Sequence, residues 1–169
     1  KRPLCPVGGI ARVRAYGNTY FEDNKYQMTG TNVISKQSGA RAVFANDEHF
    51  GCLSNVLEEH DPLSMADGWE TRRRRKPGND WGIIALSSPA KVHEIVIDTS
   101  FFKGNFPHTF SLSTAYIVNE EDSSIIESSQ SWTKLLERQK LGMNQIHTFD
   151  KKDIIHNETF THVRIDIYP

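Results

Sequence analysis

Between residues 67 and 81 the chain reads Asp67-Gly68-Trp69-Glu70-Thr71-Arg72-Arg73-Arg74-Arg75-Lys76-Pro77-Gly78-Asn79-Asp80-Trp81, placing three carboxylates, two indoles and five cations in fifteen residues. Four consecutive arginines on their own read as a solvated face or a basic cluster. Here Asp67, Glu70 and Asp80 neutralise much of that charge, and guanidinium forks mixed with carboxylates suit a small anionic ligand that also carries amides. A second polar cluster is Asp98-Thr99-Ser100-Phe101-Phe102-Lys103-Gly104-Asn105-Phe106-Pro107. Gly104-Asn105 meets the backbone needs of a tight turn with Lys103 exposed beside it, and Asp98 either anchors that turn through backbone N–H groups or offers its carboxylate to a ligand. Asp47 and Glu48 form a third acidic pair, for which helix capping is an equally cheap explanation.

Other chemistries lack their residues. The seven histidines are scattered, and neither HExxH nor CxxC occurs, so no metal and no cofactor is expected. There is no Gly-rich phosphate loop and no GxSxG elbow. Twenty Lys and Arg against 21 Asp and Glu give a net charge of −1 over 169 residues, so neither nucleic acid nor membrane is expected as a partner. A content of 37% hydrophobic, 10% aromatic and 24% charged residues describes a globular chain. No apolar run approaches the roughly 18 to 20 residues of a membrane span, and no signal-peptide core lies in the first thirty residues. With only Cys5 and Cys52, no disulfide framework is expected, and the compartment expected is intracellular, cytoplasmic or peroxisomal. The triplet Asn157-Glu158-Thr159 is a glycosylation sequon of little weight without a secretion signal. A start at Lys1 and a stop at Tyr168-Pro169, directly after an alternating run, read as the ends of a fragment.

The elements that must position these residues are strands. Ile10, Arg12, Arg14 and Tyr16 alternate with Ala11, Val13 and Ala15 between Gly8-Gly9 and Gly17, predicting a strand with a turn at each end. Residues 18–32 show no sustained period and read as a linker. Asn46 to Phe50 reads as a loop or a short helix. Ile83 to Leu86, Val92 to Asp98 and Thr109 to Tyr116 predict three separate strands, the second with His93, Ile95 and Ile97 on one face. Residues 119–131 are acidic and serine-rich and read as a solvated loop. Trp132 to Leu136 reads as a strand from its all-β context, and His162 to Tyr168 as a strand with Val163, Ile165 and Ile167 facing a core.

The run ADGWETRRRRKPGNDWGIIAL, followed by VHEIVIDTSFFKGNFPHTFSLSTAY, closely resembles the signature of the allantoicase family, and GARAVFANDEHF upstream resembles the acidic-aromatic segment opening each repeat of that family. The resemblance covers roughly residues 30 to 169. It implies an all-β fold, a jelly-roll β-sandwich of the galactose-binding-domain-like type, and hydrolysis of allantoate to ureidoglycolate and urea in purine breakdown. Repeats of the family close with a segment resembling YPDGGIARVRAYG, whose pieces stand here at opposite ends, Tyr168-Pro169 and Gly8-Gly9 to Gly17. The expected organisation is therefore 1–17 as the closing strand of a preceding repeat, 18–32 as linker, and 33–169 as a repeat lacking its final strand. A missing strand exposes an edge, and the amino-terminal strand of the same or a neighbouring chain could fill it. Leu4-Cys5-Pro6-Val7 and Ser87-Ser88-Pro89-Ala90 depart from the family's residues at those places.

Allantoate carries one carboxylate and two ureido groups on a single carbon, so a site for it needs a positive fork and partners for planar amides. Residue chemistry offers Arg72 or Arg74 for the carboxylate, Asp67, Glu70 or Asn105 for the ureido groups, and Lys103 as a further cation. Glu70, with Asp98 or Asp47, supplies the carboxyl groups that would move protons as urea leaves. The expected partners are this small-molecule substrate and a second repeat or another copy of the chain. The competing reading is a catalytically inactive allantoicase-like binding module, because one sandwich hosts many functions.

Overall fold

Apolar residues alternating along most β-rich segments give each strand one face to bury, and two such faces closed on each other make the core. The computed structural model describes residues 8–20, 30–156 and 158–169. Leu4 to Val7 with Cys5, most of the expected linker, and Asn157 of the sequon lie outside the described residues. In chain order the strands are β1 (Gly9–Ile10), β2 (Arg12–Thr19), β3 (Thr31–Asn32), β4 (Arg41–Ala45), β5 (Trp69–Glu70), β6 (Asp80–Asp98), β7 (Thr109–Ala115), β8 (Thr133–Lys140), β9 (Ile146–Phe149) and β10 (Phe160–Tyr168). One helix, α1 (Asp122–Ser128), and three short 3-10 turns complete the described elements. Among the described residues no helix is long and apolar enough to cross a membrane.

The architecture turns on β6. Its first half pairs antiparallel with β10, from Asp80 opposite Ile167 to Ala90 opposite Phe160, and with β4 on its other side. Its second half pairs with β2, from Ala90 opposite Thr19 to Asp98 opposite Arg12, and with β9. A single 19-residue strand thus belongs to both layers, one ordered β4-β6-β10-β7-β8 and the other β3-β2-β6-β9. The sequence predicts two separate strands here, Ile83 to Leu86 and Val92 to Asp98. Instead the chain continues through Pro89, which has no N–H to donate and sits where the ladder changes partners. Val13, Ala15 and Ile95 from one layer face Ile84, Leu112, Val163 and Ile165 from the other across a small internal void. This is a jelly-roll β-sandwich.

Two local expectations are corrected and a third is narrowed to one of its alternatives. The strict alternation of residues 92–98 breaks at His93: Tyr16 pairs with Glu94 but Gly17 with Val92, so the bulge puts Val92 and Ile95 both into the core. Gly17 permits it, since a Cβ there would lie 2.1 Å from the Lys91 carbonyl oxygen. Residues 119–131 are not simply a solvated loop. They form α1 and a 3-10 turn, anchored by buried Ile125 and tied down by an Arg41–Asp122 ion pair at 2.7 Å and by Arg164 donating to Ser129 Oγ at 2.8 Å. Asn46 to Phe50 contains no helix, and a 3-10 turn begins only at Leu53, whose N–H the Glu48 carboxylate accepts at 2.7 Å.

The last strand buries Val163, Ile165 and Ile167 as its alternation predicts, yet His162, Arg164 and Asp166 on its other face are also buried. Arg164 is held by Asp166 at 2.9 Å and lies over the Trp81 ring. The buried charges are therefore paired and hydrogen-bonded, which is the condition for covering them.

Candidate functional site

Asp47 organises the arginine run. Its Oδ1 accepts the backbone N–H groups of His49 at 3.0 Å and Arg72 at 3.1 Å, its Oδ2 faces Arg72 Nε at 2.6 Å, and its carbonyl takes the indole N–H of buried Trp69 at 2.8 Å. Arg74 pairs with Asp80, which also accepts from Asn46 Nδ2 at 3.2 Å, while Asn46 Oδ1 accepts the Trp81 N–H at 2.7 Å. Arg74 Nε is buried without a partner among the described residues. The turn that returns the chain to β6 needs Gly78, whose φ of +126° is unfavourable for a side chain. Arg72 and Arg74 are thus each fixed along one edge.

The cationic run 72–76 together with Asp47, His49, Phe50 and Asp80 lines an open recess of about 580 Å³. That volume falls within the range of small-molecule sites. Arg73, Arg75 and Lys76 line it without a carboxylate partner among the described residues. Two residues before Arg72, Glu70 is pinned by its backbone, its carbonyl accepting from Phe50 at 3.0 Å and its N–H donating to the Gly51 carbonyl at 3.2 Å. Its Oε1 accepts from Asn105 Nδ2 at 2.7 Å. The turn around Gly104 therefore delivers an amide to a carboxylate beside the arginine run.

The structure brings Asp47, Arg72 and Arg74 together at the recess and joins Glu70 to Asn105. It does not bring Asp67 or Asp98 to them. Asp67 Oδ2 takes fully buried Arg12 at 2.8 Å and the Leu63 N–H at 3.0 Å. Burial pushes the Asp67 carboxyl up, and the Leu63 amide together with the Arg12 guanidinium outweigh this, leaving it below the usual carboxylate range. Asp98 is buried, and its Oδ1 accepts the Ser100 N–H at 2.7 Å, the turn-anchoring arrangement. Lys103 is exposed and takes no carboxylate among the described residues. His49, Phe50 and Asn46 are site residues that sequence reasoning did not single out, although they stand in the acidic-aromatic segment beside Asp47. Among the described residues no group of three or more His, Cys, Asp or Glu is placed to hold a metal ion.

A jelly-roll sandwich with these pairings is a galactose-binding-like domain, here with loops that hold a cation-lined recess flanked by carboxylates. Residues 31–169 match the family model described as the allantoicase repeat. The chain is 42% identical over 170 residues to a probable allantoicase of Pseudomonas fluorescens, covering 98% of this chain and 50% of that protein. It is 39% identical over 166 residues to a probable allantoicase of Acinetobacter baumannii, covering 98% and 49%. A solved structure of an allantoicase superposes with a TM-score of 0.73 at 32% identity, over 81% of this chain and 44% of that one. The chain belongs to the allantoicase family. It spans about half the length of the curated relatives it matches.

Proposed function

We propose that this chain takes part in hydrolysing allantoate to ureidoglycolate and urea, and that Glu70 is the group that moves the protons. The observation that carries this reading is the Glu70–Asn105 hydrogen bond at 2.7 Å, made two residues along the chain from Arg72, which lines the recess with Arg74. A guanidinium fork held along one edge by Asp47 or Asp80 keeps its other edge for the substrate carboxylate. Asn105 offers an amide partner for a planar ureido group.

With the substrate so held, Glu70 removes the N–H proton of one ureido group at the nitrogen attached to the central carbon. That nitrogen's electron pair forms a C=N bond, and the C–N bond to the second ureido group breaks. Both nitrogens sit on the same carbon, so the protonated Glu70 returns its proton to the departing nitrogen and urea leaves. Water then adds to the C=N carbon, Glu70 carrying its proton to the imine nitrogen, and ureidoglycolate results. General acid–base catalysis of this kind contributes roughly 10² to 10⁴-fold. Asp47, whose carboxylate accepts two backbone N–H groups and the Arg72 guanidinium, serves to orient rather than to carry protons.

The same reading assigns an intracellular compartment and association with a second allantoicase repeat or another copy of the chain. The test is urea release from allantoate by the folded chain, alone and with a second repeat present, beside Glu70→Gln. The glutamine keeps an acceptor for Asn105 but cannot shuttle a proton, so turnover should fall at least about 100-fold with unchanged melting. No urea release in either setting, or full turnover by Glu70→Gln, would overturn the proposal.

A further inference from the structure

We infer that Gly9 and β1, which precede the residues matched by the family model, are the positioning device for Asn105 and so complete the site. The inference rests on the reading of Glu70 and Asn105 given above. β1 pairs antiparallel with β5, setting Gly9 opposite Glu70 and Ile10 opposite Trp69. The Gly9 N–H donates to the Asn105 carbonyl at 2.9 Å, and the Gly8 carbonyl accepts the Thr71 N–H at 3.0 Å. The segment Gly8–Ile10 therefore lies along Glu70, is hydrogen-bonded to Thr71 next to it, and is hydrogen-bonded to Asn105.

Side-chain packing makes the same connection. The Phe102 ring is fully buried against two glycines that have no Cβ to exclude it. A Cβ on Gly9 would lie 1.9 Å from Phe102 Cε1, and one on Gly68 would lie 3.0 Å from Cε2. The loop is further fixed at Phe101, whose φ of +70° is held by its N–H donating to Asn144 Oδ1 at 2.8 Å. With the ring seated against Gly9, Asn105 three residues on meets both the Gly9 amide and the Glu70 carboxylate. Gly9 reaches the chemistry through Phe102 and Asn105, as a positioning residue.

Gly9→Ala forces the ring to move by about 1 Å or more, and misplacement of a catalytic constellation by that much costs about 100-fold. Gly17→Ala is the matched control. Its Cβ would lie 2.1 Å from the Lys91 carbonyl oxygen, a similarly close approach made to backbone instead of a ring, eight residues further along and opposite Val92. The experiment compares the two variants per folded molecule, reading urea release from allantoate and the Asn105 side-chain NH₂ resonances. Gly9→Ala should lose about 100-fold in kcat/KM and shift those resonances, while Gly17→Ala should keep turnover within about threefold and leave them in place. If Gly9→Ala does not fold, Gly9→Ala with Phe102→Leu replaces it, and the shorter side chain should restore folding. Equal turnover and equal resonances in the two variants would overturn the inference. So would failure of both Gly9 variants to fold while Gly17→Ala folds. Absence of turnover in the unmutated chain, both alone and with a second repeat present, would refute the proposed reaction instead, and the Asn105 resonances would still decide the role of Gly9.

Discussion

Replacing Arg12 with leucine tests whether the loop that carries the site is held by one buried ion pair. Arg12 is fully buried, and its Nε donates to the His60 carbonyl at 2.9 Å, one terminal nitrogen to the carbonyls of Ala11 at 2.6 Å and Asp67 at 2.5 Å, and the other to Asp67 Oδ2 at 2.8 Å. Leucine fills part of the volume and satisfies none of these acceptors. Removing one partner of a buried pair costs about 3 to 5 kcal/mol. The Asp67 side chain is 24% exposed, so water reaches it and the lower end applies. At about 2 to 4 °C per kcal/mol for a domain of this size, melting at pH 7 should drop by about 6 to 12 °C. Asp67→Asn keeps an oxygen for Arg12 and should cost less. Because the Asp67 carboxyl lies below the usual range when folded, its ionised form favours the native state above the unfolded value, and that contribution is lost as pH falls through the folded one. The difference between the unmutated chain and Asp67→Asn should therefore shrink below about pH 4. Thermal unfolding from pH 7 to pH 3 measures both effects. An Arg12→Leu melting point within about 2 °C of the unmutated chain would refute the reasoning.

Asp80→Ala releases Arg74 and Asn46 together, and should raise the KM for allantoate about tenfold with little change in kcat, which steady-state urea release would show. An unchanged KM would remove Arg74 from carboxylate recognition. His162 is pushed below its ordinary value by burial and by the nearby Arg41 cation, against a smaller opposing effect of Asp122, so the folded chain prefers it neutral. Its contribution to stability is complete above about pH 6.5 and declines as pH falls from there through the folded value. His162→Gln should therefore flatten the melting-temperature profile between pH 8 and 5, and a profile as steep as that of the unmutated chain would refute the assignment.

The strands and the arginine run were legible because their signals are local. Val163, Ile165 and Ile167 announce their buried face by period alone, and the charges of 67–81 announce a polar site by density. The rest depends on partners distant in sequence. Nothing near His93 shows that a bulge against Gly17 will turn Val92 into the core. Nothing in Ser87 to Ala90 shows that one strand will serve both layers, and polar Arg164 and Asp166 give no sign that they will be covered. Glu70 and Asn105 are legible in the sequence as polar candidates, whereas their pairing across 35 residues is not. Asp67 and Asp98 look equally available in sequence, and only Arg12, 55 residues from Asp67, and the Ser100 amide show where their carboxylates are spent.

The position of β2 explains why the site joins distant segments. Without β2, the second half of β6 would have β9 on one side and an open edge on the other, with Ile95 and Ile97 uncovered where Ala15 and Val13 now pair with them. An open, apolar edge is an aggregation hazard as well as a loss of core, so the strand that closes it is under strong physical demand whatever part of the sequence supplies it. Once β2 is seated against β6, the residues just before it have little freedom. Ala11 N–H donates to the Asp98 carbonyl at 2.8 Å, and Gly9 and Ile10 come to lie along Glu70 and Trp69. The interactions that close the sandwich thus also set Glu70 against Asn105. A change at Gly9 or Ile10, where the chain lies along Glu70 and Trp69, therefore reaches the site, although the matched family repeat begins only at residue 31.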